Sequence, residues 1–476
     1  MKRSNTYAMV LLALAALIVG LLPLVSISFA RSIHSALDQV MIGVAAKLLI
    51  LLVGGAIGLW LLYKRKFLVI LALGVAGAGL ALMYVTQRFQ RTYPDNRLTQ
   101  RSAWADVGTL LFGKDILLGE FQPTTPLKVP NRVVMRARYP AIDIHFHLGS
   151  LPPGMGVDSL IKAMDSTGIA KVVNLDGVTG DVAKYMSTAV AKYPDRIIQF
   201  AIPDLWRVND SGFAETQTKW IELAARLGAR GLKVHKFFGL NWLDRETRRL
   251  IAVDDPRFDP IWRKAAELHF PIVWHALQPA PFFDPVSGTN ERFEELRSIA
   301  DASLHVPGGP RRADVMKQRE NVLARHPNTV FIGAHVGMNG DDLAYVASML
   351  DRYPNYYVDI ASMVHELGRQ PYTARRFFIR YQDRILFGTD GGVHMSSKEW
   401  PAQRYFRSYI TFLEAENEYD EYPLWGINKQ GRWRVYGLAL PDSVLEKVYR
   451  RNAEKLIPSD SVVLGALRRI DERRGR

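Results

Sequence analysis

Two histidines stand one residue apart at the end of an apolar run, in the sequence AIDIHFHLGS of residues 141–150. In a β-strand, side chains two positions apart leave the backbone on the same side. The imidazoles of His145 and His147 are therefore expected to point at one place. Imidazole nitrogens bind zinc and similar divalent ions. The pair is a candidate half of a metal site, although such pairs also occur in protein cores.

Further residues of metal-binding type stand within or at the ends of four later apolar runs. They are Lys233 in GLKVHK, His275 in PIVWH, His335 in TVFIGAH and Asp390 in RILFGTD. The chain has no cysteine, so thiolate sites and disulfides are excluded and an ion must be held by nitrogen and oxygen ligands. Such ligands suit a divalent ion, and zinc is the expected one.

Eight short apolar runs alternate with amphipathic stretches after residue 139. The runs are 141–145, 171–177, 197–204, 231–236, 271–275, 329–335, 356–361 and 384–390. Eight strands alternating with helices predict an α/β protein with a (β/α)8 TIM barrel over residues 139–458. A doubly wound sheet is the alternative. In a barrel the carboxyl ends of all strands meet at one face, which would bring the candidate ligands together.

The motifs HFH, GLKVHK, IVWHA, FIGAHVG, LFGTD and YRRNAEKLI carry a resemblance over residues 123–458. In these motifs and their order the chain resembles the amidohydrolase superfamily, specifically its amidohydrolase-related branch. The resemblance implies a metal site made by His145, His147, His275, His335 and Asp390. With one ion, His335 would orient water and Asp390 would be both ligand and base. With two ions, His275 and His335 would hold the second and a carbamylated Lys233 would bridge the pair.

Several neighbouring residues have less certain roles. A buried Lys233 would have a lowered pKa, which carbamylation requires, but it could instead pair with Asp390 or bind an anionic substrate. His394, after GTDGG, is predicted to contact substrate. Asp359, at the end of the seventh run, is expected to orient other groups. Arg292 and Trp274 could equally line a pocket or pack.

The first 90 residues differ sharply from the rest of the chain. Residues 8–30, 41–63 and 67–85 are long apolar stretches that predict transmembrane helices, although the first also fits a cleaved signal peptide. Residues 91–138 are predicted to be a linker and 459–476 a basic tail. Much of the net charge of +14 flanks the apolar stretches or lies in that tail, so we expect a lipid partner rather than nucleic acid.

The side of the membrane depends on two opposing signals. A cytoplasmic turn KRK, residues 64–66, would place the barrel on the exoplasmic (periplasmic) side, whereas the arginines of residues 88–101 favour the reverse. We expect the exoplasmic side. The sequence does not indicate an oligomeric state.

The function expected from these patterns is a membrane-anchored, metal-dependent hydrolase that attacks an amide, ester or lactone of a small molecule. The resemblance allows a second function, non-oxidative decarboxylation of an aromatic or unsaturated acid on the same metal site, which would need a basic clamp for the carboxylate. A third alternative is a non-catalytic membrane-bound barrel. That alternative predicts lost ligands, yet every expected ligand position is filled.

Overall fold

The computed structural model describes residue 77 and residues 123–150, 157–176, 190–236, 238–299, 302–392, 402–421 and 430–475. The chain divides into two compact units, Met1–Pro126 and Leu127–Arg476, and the features that follow belong to the second. The apolar stretches 8–30, 41–63 and 67–85 lie outside the described residues, except for residue 77. Within the described ranges, none of the helices has the length and apolar character needed to cross a membrane.

Eight parallel strands form the centre of the second unit. They are β1 Ala141–Phe146, β2 Ile169–Asn174, β3 Ile197–Gln199, β4 Leu232–Val234, β5 Ile272–Trp274, β6 Phe331–Gly333, β7 Tyr356–Asp359 and β8 Ile385–Leu386. Hydrogen bonding orders them β1-β2-β3 and β4-β5-β6-β7-β8. Parallel bridges Ala201–Leu232 and Phe146–Gly391 join the two sheets at both edges. The ring is closed, which confirms the predicted α/β barrel over an open sheet.

Helices lie between and after the strands. Those in the described ranges are α1 Val157–Thr167, α2 Phe213–Arg226, α3 Asp259–Glu267, α4 Phe293–Ser298, α5 Arg312–Arg325, α6 Leu343–Arg352, α7 Val364–Gly368, α8 Pro371–Arg380, α9 Ala402–Glu414, α10 Asp442–Glu446, α11 Asn452–Leu456 and α12 Asp460–Arg474. A π-helical turn, Lys447–Arg451, joins α10 to α11. Short 3-10 turns occur at Leu148–Ser150, Leu205–Arg207, Pro256–Phe258 and Ala280–Phe283, and a helical turn with left-handed residues at Ala334–Gly337.

Helix α6 shows how the sequence specifies these elements. The side chain of Asp342 accepts a hydrogen bond of 2.9 Å from the backbone N–H of Tyr345, which caps a helix start that would otherwise lack a partner. Its buried residues are Leu343, Val346, Met349 and Leu350, spaced so that they share one face. Burial of such a side chain contributes about 1.5–3 kcal/mol. The capping residue and the apolar face together define the helix.

Two apolar clusters build the core, and they separate the inside of the barrel from its outer layer. The larger cluster joins outward strand residues such as Val172, Phe331 and Ile385 to the helices. The smaller one consists mainly of strand residues: Ile142, Ile144, Val173, Leu175, Phe200, Val273, Ile332, Ala334, Tyr357, Leu386 and Ala453. Lys233 is aligned with Val273 across the β4–β5 pair, so it belongs to the interior layer.

Residues predicted to be a basic tail fold as helix α12. Its buried side chains are Val463, Ala466, Leu467 and Ile470. Arg474 at its end pairs with Glu222 of α2, at 2.6 Å. The helix is therefore packed against the barrel. The domain boundaries at residues 90, 138 and 458 stay predictions.

Candidate metal centre

The two histidines that end β1 converge on one carboxylate. Asp390, four residues beyond β8, has its Oδ1 atom 3.4 Å from Nε2 of His145 and 3.2 Å from Nε2 of His147. Hydrogen bonds between the strand ends hold this arrangement: the Asp390 N–H donates to the His145 carbonyl at 2.8 Å. Both side chains therefore face the same point, as their spacing in the strand implies.

His335 and His275 bring the ends of β6 and β5 to the same place. One donor atom each of His145, His335 and Asp390 lie within 4.8 Å of one another. The ring centroids of His275 and His335 are 4.6 Å apart. The Nε2 atom of His275 is buried and has no hydrogen-bond partner within the described part of the chain. A buried nitrogen in that state is costly unless a ligand satisfies it.

The other ring nitrogen of three of these histidines is held by a neighbouring oxygen. Nδ1 of His145 lies 2.9 Å from Oδ2 of the fully buried Asp359. Nδ1 of His147 is hydrogen-bonded to Asp176, and Nδ1 of His335 lies 2.8 Å from the carbonyl oxygen of Ala361. Such partners orient an imidazole and leave Nε2 as the metal-binding atom. These contacts therefore direct the Nε2 atoms towards the inside of the barrel.

The segment after β6 carries His335 on a strained turn. His335, Val336 and Met338 have φ values of 58°, 54° and 57°, in the left-handed region that a β-branched residue rarely adopts. A Cβ atom on Gly337 would lie 2.2 Å from the Tyr356 hydroxyl, so only glycine fits there. Arg319 donates to the Gly337 carbonyl at 2.9 Å and thereby fixes the turn. Strain of this kind is frequent at functional sites.

Asp390 is fixed through its second carboxylate oxygen. The Ser362 hydroxyl donates a 2.9 Å hydrogen bond to Oδ2 of Asp390, and both residues have left-handed backbones, with φ of 51° and 63°. The backbone N–H of Ser362 donates to the Tyr409 hydroxyl at 2.9 Å, and that hydroxyl donates to the Thr389 carbonyl at 2.7 Å. Oδ1 is thus left facing the histidines.

Three of the four histidines have the charge state that a metal ion requires. Burial lowers the pKa of His145 and His275 well below 6.5 and that of His335 to about 4, so all three are neutral at pH 7. For His147, burial lowers the pKa, but the hydrogen bonds that its ring donates to the carboxylates of Asp176 and Asp390 outweigh burial and raise the pKa to about 9. Neutral imidazole is the form that binds a metal ion.

Lys233 lies inside the same cluster. Its side chain is 4% exposed, and Nζ is 3.0 Å from Nε2 of His145. Burial lowers the pKa of Lys233 to about 8, although the charges of Asp390 and Asp359 act to raise it. A substantial share of neutral amine therefore exists near pH 8.

These side chains fit a divalent ion held by nitrogen and oxygen donors. Four imidazoles and one carboxylate converge, His275 presents a buried nitrogen without a partner, and neighbouring oxygens already hold Nδ1 of three rings. This is the donor set that zinc and similar ions bind in catalytic sites.

The outcome differs among the other site residues that were proposed from the sequence. His394 lies outside the described residues. Trp274 is buried and packs on Phe331, with ring centroids 4.9 Å apart. Arg292 is 1% exposed and bonded to Glu295 at 2.8 Å, so it is part of the packed interior rather than a pocket wall.

Two residues of the site were missed by sequence reasoning, Asp176 and Ser362. Asp176 follows β2, and its Oδ2 also accepts a 2.7 Å bond from the Gly149 N–H. Asp176 lies near the end of the predicted run 171–177, and Ser362 directly follows the run 356–361, positions like those that identified the histidines. A search for every polar residue at the strand ends would have listed them as candidates without showing which side chain each one contacts.

The comparison with protein families shows to which family this barrel belongs. Residues 142–458 match the family model described as Amidohydrolase, which is more than half of the chain. The chain belongs to the amidohydrolase family. It is accordingly a metal-dependent enzyme of the amidohydrolase type that acts on a small-molecule substrate. No curated protein matches the chain.

Solved structures of several proteins are similar to this amidohydrolase. A 2,6-dihydroxybenzoate decarboxylase from Rhizobium is 18% identical, with 68% of this chain and 98% of that one covered and a TM-score of 0.41. A 4-oxalomesaconate hydratase from Rhodopseudomonas palustris is 13% identical, with 70% and 99% covered and a TM-score of 0.41. An amidohydrolase from Burkholderia multivorans with bound zinc is 12% identical, with 67% and 99% covered and a TM-score of 0.37. Similarity this weak supports no argument about chemistry.

Proposed function

We propose that this amidohydrolase is a hydrolase that uses a bound divalent ion, zinc in the first instance, to cleave an amide, ester or lactone of a small molecule. One observation carries the proposal: the Nε2 atoms of His145 and His147 face a single carboxylate oxygen of Asp390. His275 and His335 close the same cluster from two further strands. The residues that would hold the ion are His145, His147, His275, His335 and Asp390, with Lys233 beside them.

The chain supplies the proton transfer. A divalent ion held by these residues would lower the pKa of a bound water to near 7 and would polarise a carbonyl group. Asp390 accepts the proton of the attacking water and delivers it to the leaving group, the role of a general acid–base. Ser362 holds Oδ2 of this carboxylate and so fixes its plane. With one ion, His335, neutral because burial lowers its pKa to about 4, would orient the water by a hydrogen bond instead of binding the ion.

Lys233 determines how many ions the centre holds. We propose that its amine is partly neutral, since burial lowers its pKa to about 8, and that it is available for carbamylation. A carbamate at Lys233 would add two oxygen ligands and support a second ion. An unmodified amine, which lies 3.0 Å from Nε2 of His145, supports one.

The decarboxylase alternative needs a free cationic side chain to hold the substrate carboxylate. Arg292 was the arginine identified from the sequence for the pocket. Both of its terminal nitrogens are taken, Nη1 by Glu295 at 2.8 Å and Nη2 by His365 at 2.8 Å and by Glu366. Arg292 is therefore not available as that clamp.

Membrane anchoring is part of the same proposal. Residues 8–30, 41–63 and 67–85 are apolar stretches of spanning length, flanked by basic residues. They would tether the enzyme to the bilayer with the barrel on the exoplasmic side. The side is tested with a reporter enzyme that is active only in the cytoplasm, fused after residue 90. Activity of that fusion would reverse the proposed topology.

The decisive experiment combines metal analysis with hydrolysis. Full-length protein is assayed for zinc, manganese and iron by elemental analysis, stripped with a chelator, and screened against amides, esters, lactones and aromatic acids before and after zinc is restored. We expect one or two ions per chain and zinc-dependent hydrolysis. Release of carbon dioxide from the acids without hydrolysis of the other classes would establish the decarboxylase. Full activity of the metal-free protein would refute the proposal.

A further inference from the structure

Two buried polar residues, Asp143 and Thr389, are hydrogen-bonded to each other between the parts of the chain that carry His145 and Asp390. Asp143 belongs to β1, Thr389 directly precedes Asp390 after β8, and both residues are 0% exposed. Oδ1 of Asp143 accepts a 3.0 Å hydrogen bond from the backbone N–H of Thr389, and Oδ2 accepts one from the Thr389 hydroxyl. The pair therefore joins β1 to the chain after β8, where the barrel closes.

The same carboxylate also holds the backbone of His145. Oδ1 of Asp143 accepts the backbone N–H of His145 at 3.1 Å. The register of β1 against β2 shifts between Asp143 and Phe146, so this N–H lies in an irregular part of the strand. Irregularities of this kind re-aim side chains and are frequent next to active sites. Asp143 thereby supports the stretch of backbone from which the His145 ring projects.

The backbone of Thr389 is held on its other side by helix α9. Its carbonyl oxygen accepts hydrogen bonds from the hydroxyls of Tyr405 and Tyr409, each at 2.7 Å. Both tyrosines are 0% exposed. Because Asp143 binds the N–H and the hydroxyl, all the polar groups of Thr389 are bonded within the protein. The residue next to Asp390 is thus fixed from two directions.

Packing alone does not account for a carboxylate at position 143. Burial of a carboxylate is costly, and well-packed apolar side chains often replace buried polar groups without loss of stability. The bonds of Asp143 go to His145, one candidate ligand, and to the neighbour of Asp390, another. The carboxylate therefore determines how these two ligands stand relative to each other.

We propose that Asp143 and Thr389 are positioning residues that set the distance and orientation of Asp390 relative to His145. The inference rests on the proposed function, in which both ligands hold the ion and Asp390 also transfers the proton. Oδ1 of Asp390 lies 3.4 Å from Nε2 of His145, and a shift of the chain after β8 against β1 would separate these two atoms. Loss of the pair should therefore lower the affinity for a metal ion and alter its coordination geometry.

Cobalt(II) binding tests this role, because the visible absorption of the bound ion reports the geometry of its ligands. Full-length wild-type protein and variants are titrated in competition with a chelator. Thr389→Val removes the hydroxyl but keeps the shape of the side chain, and should weaken cobalt(II) binding by about tenfold and change the spectrum. Thr389→Ser restores the hydroxyl and should bind within about threefold of wild type, with the wild-type spectrum.

A second variant approaches the pair from the other side. Asp143→Asn retains one oxygen for the backbone N–H groups but removes the acceptor of the Thr389 hydroxyl, so it should change the spectrum in the same direction as Thr389→Val. The double variant should bind cobalt(II) about as tightly as Thr389→Val alone, because the two substitutions remove the same hydrogen bond. If Thr389→Val does not fold, Asp143→Asn carries the comparison.

Thr329→Val is the matched control. Thr329 is 1% exposed, and its hydroxyl donates to the Trp262 carbonyl at 2.9 Å. It precedes β6 and so lies at the amino end of the barrel, whereas the ligands lie at the carboxyl end. Its substitution removes a buried hydroxyl of the same kind, so the melting temperature should fall while cobalt(II) affinity and spectrum stay those of wild type.

The outcomes separate this inference from the proposed function. If Thr389→Val and Asp143→Asn both have the wild-type affinity and spectrum, the positioning role is refuted and the metal centre stands. An equal change in Thr329→Val also refutes that role, because the loss of any buried hydroxyl would then disturb the centre. If the wild-type protein binds no cobalt(II), the metal centre itself fails, and the proposed function and this inference fail with it.

Discussion

Two clusters of buried ionisable side chains lie at the carboxyl end of the barrel, and their electrostatic balance differs. In the Arg292 cluster, formed by Arg292, Glu295, His365 and Glu366, opposite charges pair directly, at 2.8 Å for Arg292 and Glu295. In the metal centre, Nζ of Lys233 lies 3.0 Å from Nε2 of His145, and the ring of His335 is tilted against that of His145, with centroids 4.7 Å apart. The carboxylates of the first cluster are paired with a guanidinium group, whereas in the second the imidazoles converge with Asp390 and Nε2 of His275 has no partner among the described residues.

This difference separates a structural role from a functional one. Arg292 fastens the segment after β5 to α7, because its partner Glu366 belongs to that helix. A balanced buried ion pair holds two segments together, and removing one member leaves a costly unpaired charge. Convergent neutral imidazoles, by contrast, gain most when a cation binds between them. Burial alone does not distinguish the two clusters, since Arg292 and His145 are each 1% exposed.

Removing a metal ligand should have the largest effect of the substitutions that test this difference. We expect His145→Asn to lower the affinity for zinc by more than about a hundredfold, because it removes a donor atom rather than a supporting contact. The measurement is zinc content after dialysis against a weak chelator. His305→Asn, at an exposed histidine, is the control. Normal zinc content in the His145 variant would mean that the cluster is not the metal site.

A change in the Arg292 cluster should lower the stability of the protein and not its affinity for zinc. Arg292→Met leaves Glu295 and Glu366 without their shared cation and should lower the free energy of unfolding by about 3–5 kcal/mol. Zinc stoichiometry of the folded fraction should not change. Arg311→Met, whose side chain is 82% exposed in its pair with Asp314, should cost less than about 1 kcal/mol. A loss of zinc without loss of stability would contradict the structural role of Arg292.

Much of the barrel could be predicted because apolar runs mark strands and parallel strands end at one face. All eight predicted strands are present, and the structure brings His145, His147, Lys233 and Asp390 together within hydrogen-bonding or near-contact distances. Seven of the eight strands are shorter than the apolar runs, as in Ile385–Leu386 against residues 384–390, and only β1 is longer, by one residue. After the last hydrogen bond of a strand ladder, the chain continues in an extended direction and is still apolar. Hydropathy therefore cannot mark the end of the strand.

Contacts made by the loops could not be predicted from the sequence. That Asp176 reaches His147 depends on the path of the chain after β2, and Ser362 reaches Asp390 because its backbone is left-handed, with φ of 51°. No pattern in the sequence predicts either contact. Helix α12 is different, because Val463, Ala466, Leu467 and Ile470 have the spacing of an apolar helix face. The high charge of that segment concealed the pattern.

Supporting contacts at the metal centre should matter less than ligands. Asp176→Asn retains the shape of the side chain but removes the charge that orients His147, and should weaken zinc binding by about 10- to 100-fold. Asp158→Asn, a comparable change at the exposed partner of Lys192, is the control. Zinc affinity is measured by competition with a chromophoric chelator. Equal affinities of the two variants would show that Asp176 does not support His147.

Zinc binding to the metal-free protein should depend on pH through His147. Its pKa is raised from 6.5 to about 9, so this imidazole carries a proton below that pH and must lose it to bind an ion. As the pH falls from 9 to 7, zinc affinity should drop about tenfold per unit, and about one proton should be released per ion. Calorimetric titration in buffers of different ionisation enthalpy counts the protons. Asp176→Asn should shift this dependence to lower pH.

The smallest effect is expected at Ser362. Ser362→Ala removes the 2.9 Å hydrogen bond to Oδ2 of Asp390 while leaving Oδ1 near His145 and His147. The loss of one hydrogen bond to a partly exposed carboxylate should cost about 1 kcal/mol, or roughly fivefold in zinc affinity. Ser408→Ala, which removes a hydroxyl that donates to the Tyr405 carbonyl in α9, is the control. The cobalt(II) absorption spectrum should change in the first variant and not in the second, because only Ser362 sets the orientation of a carboxylate beside the ion. Identical spectra would mean that the strand ends alone position Asp390.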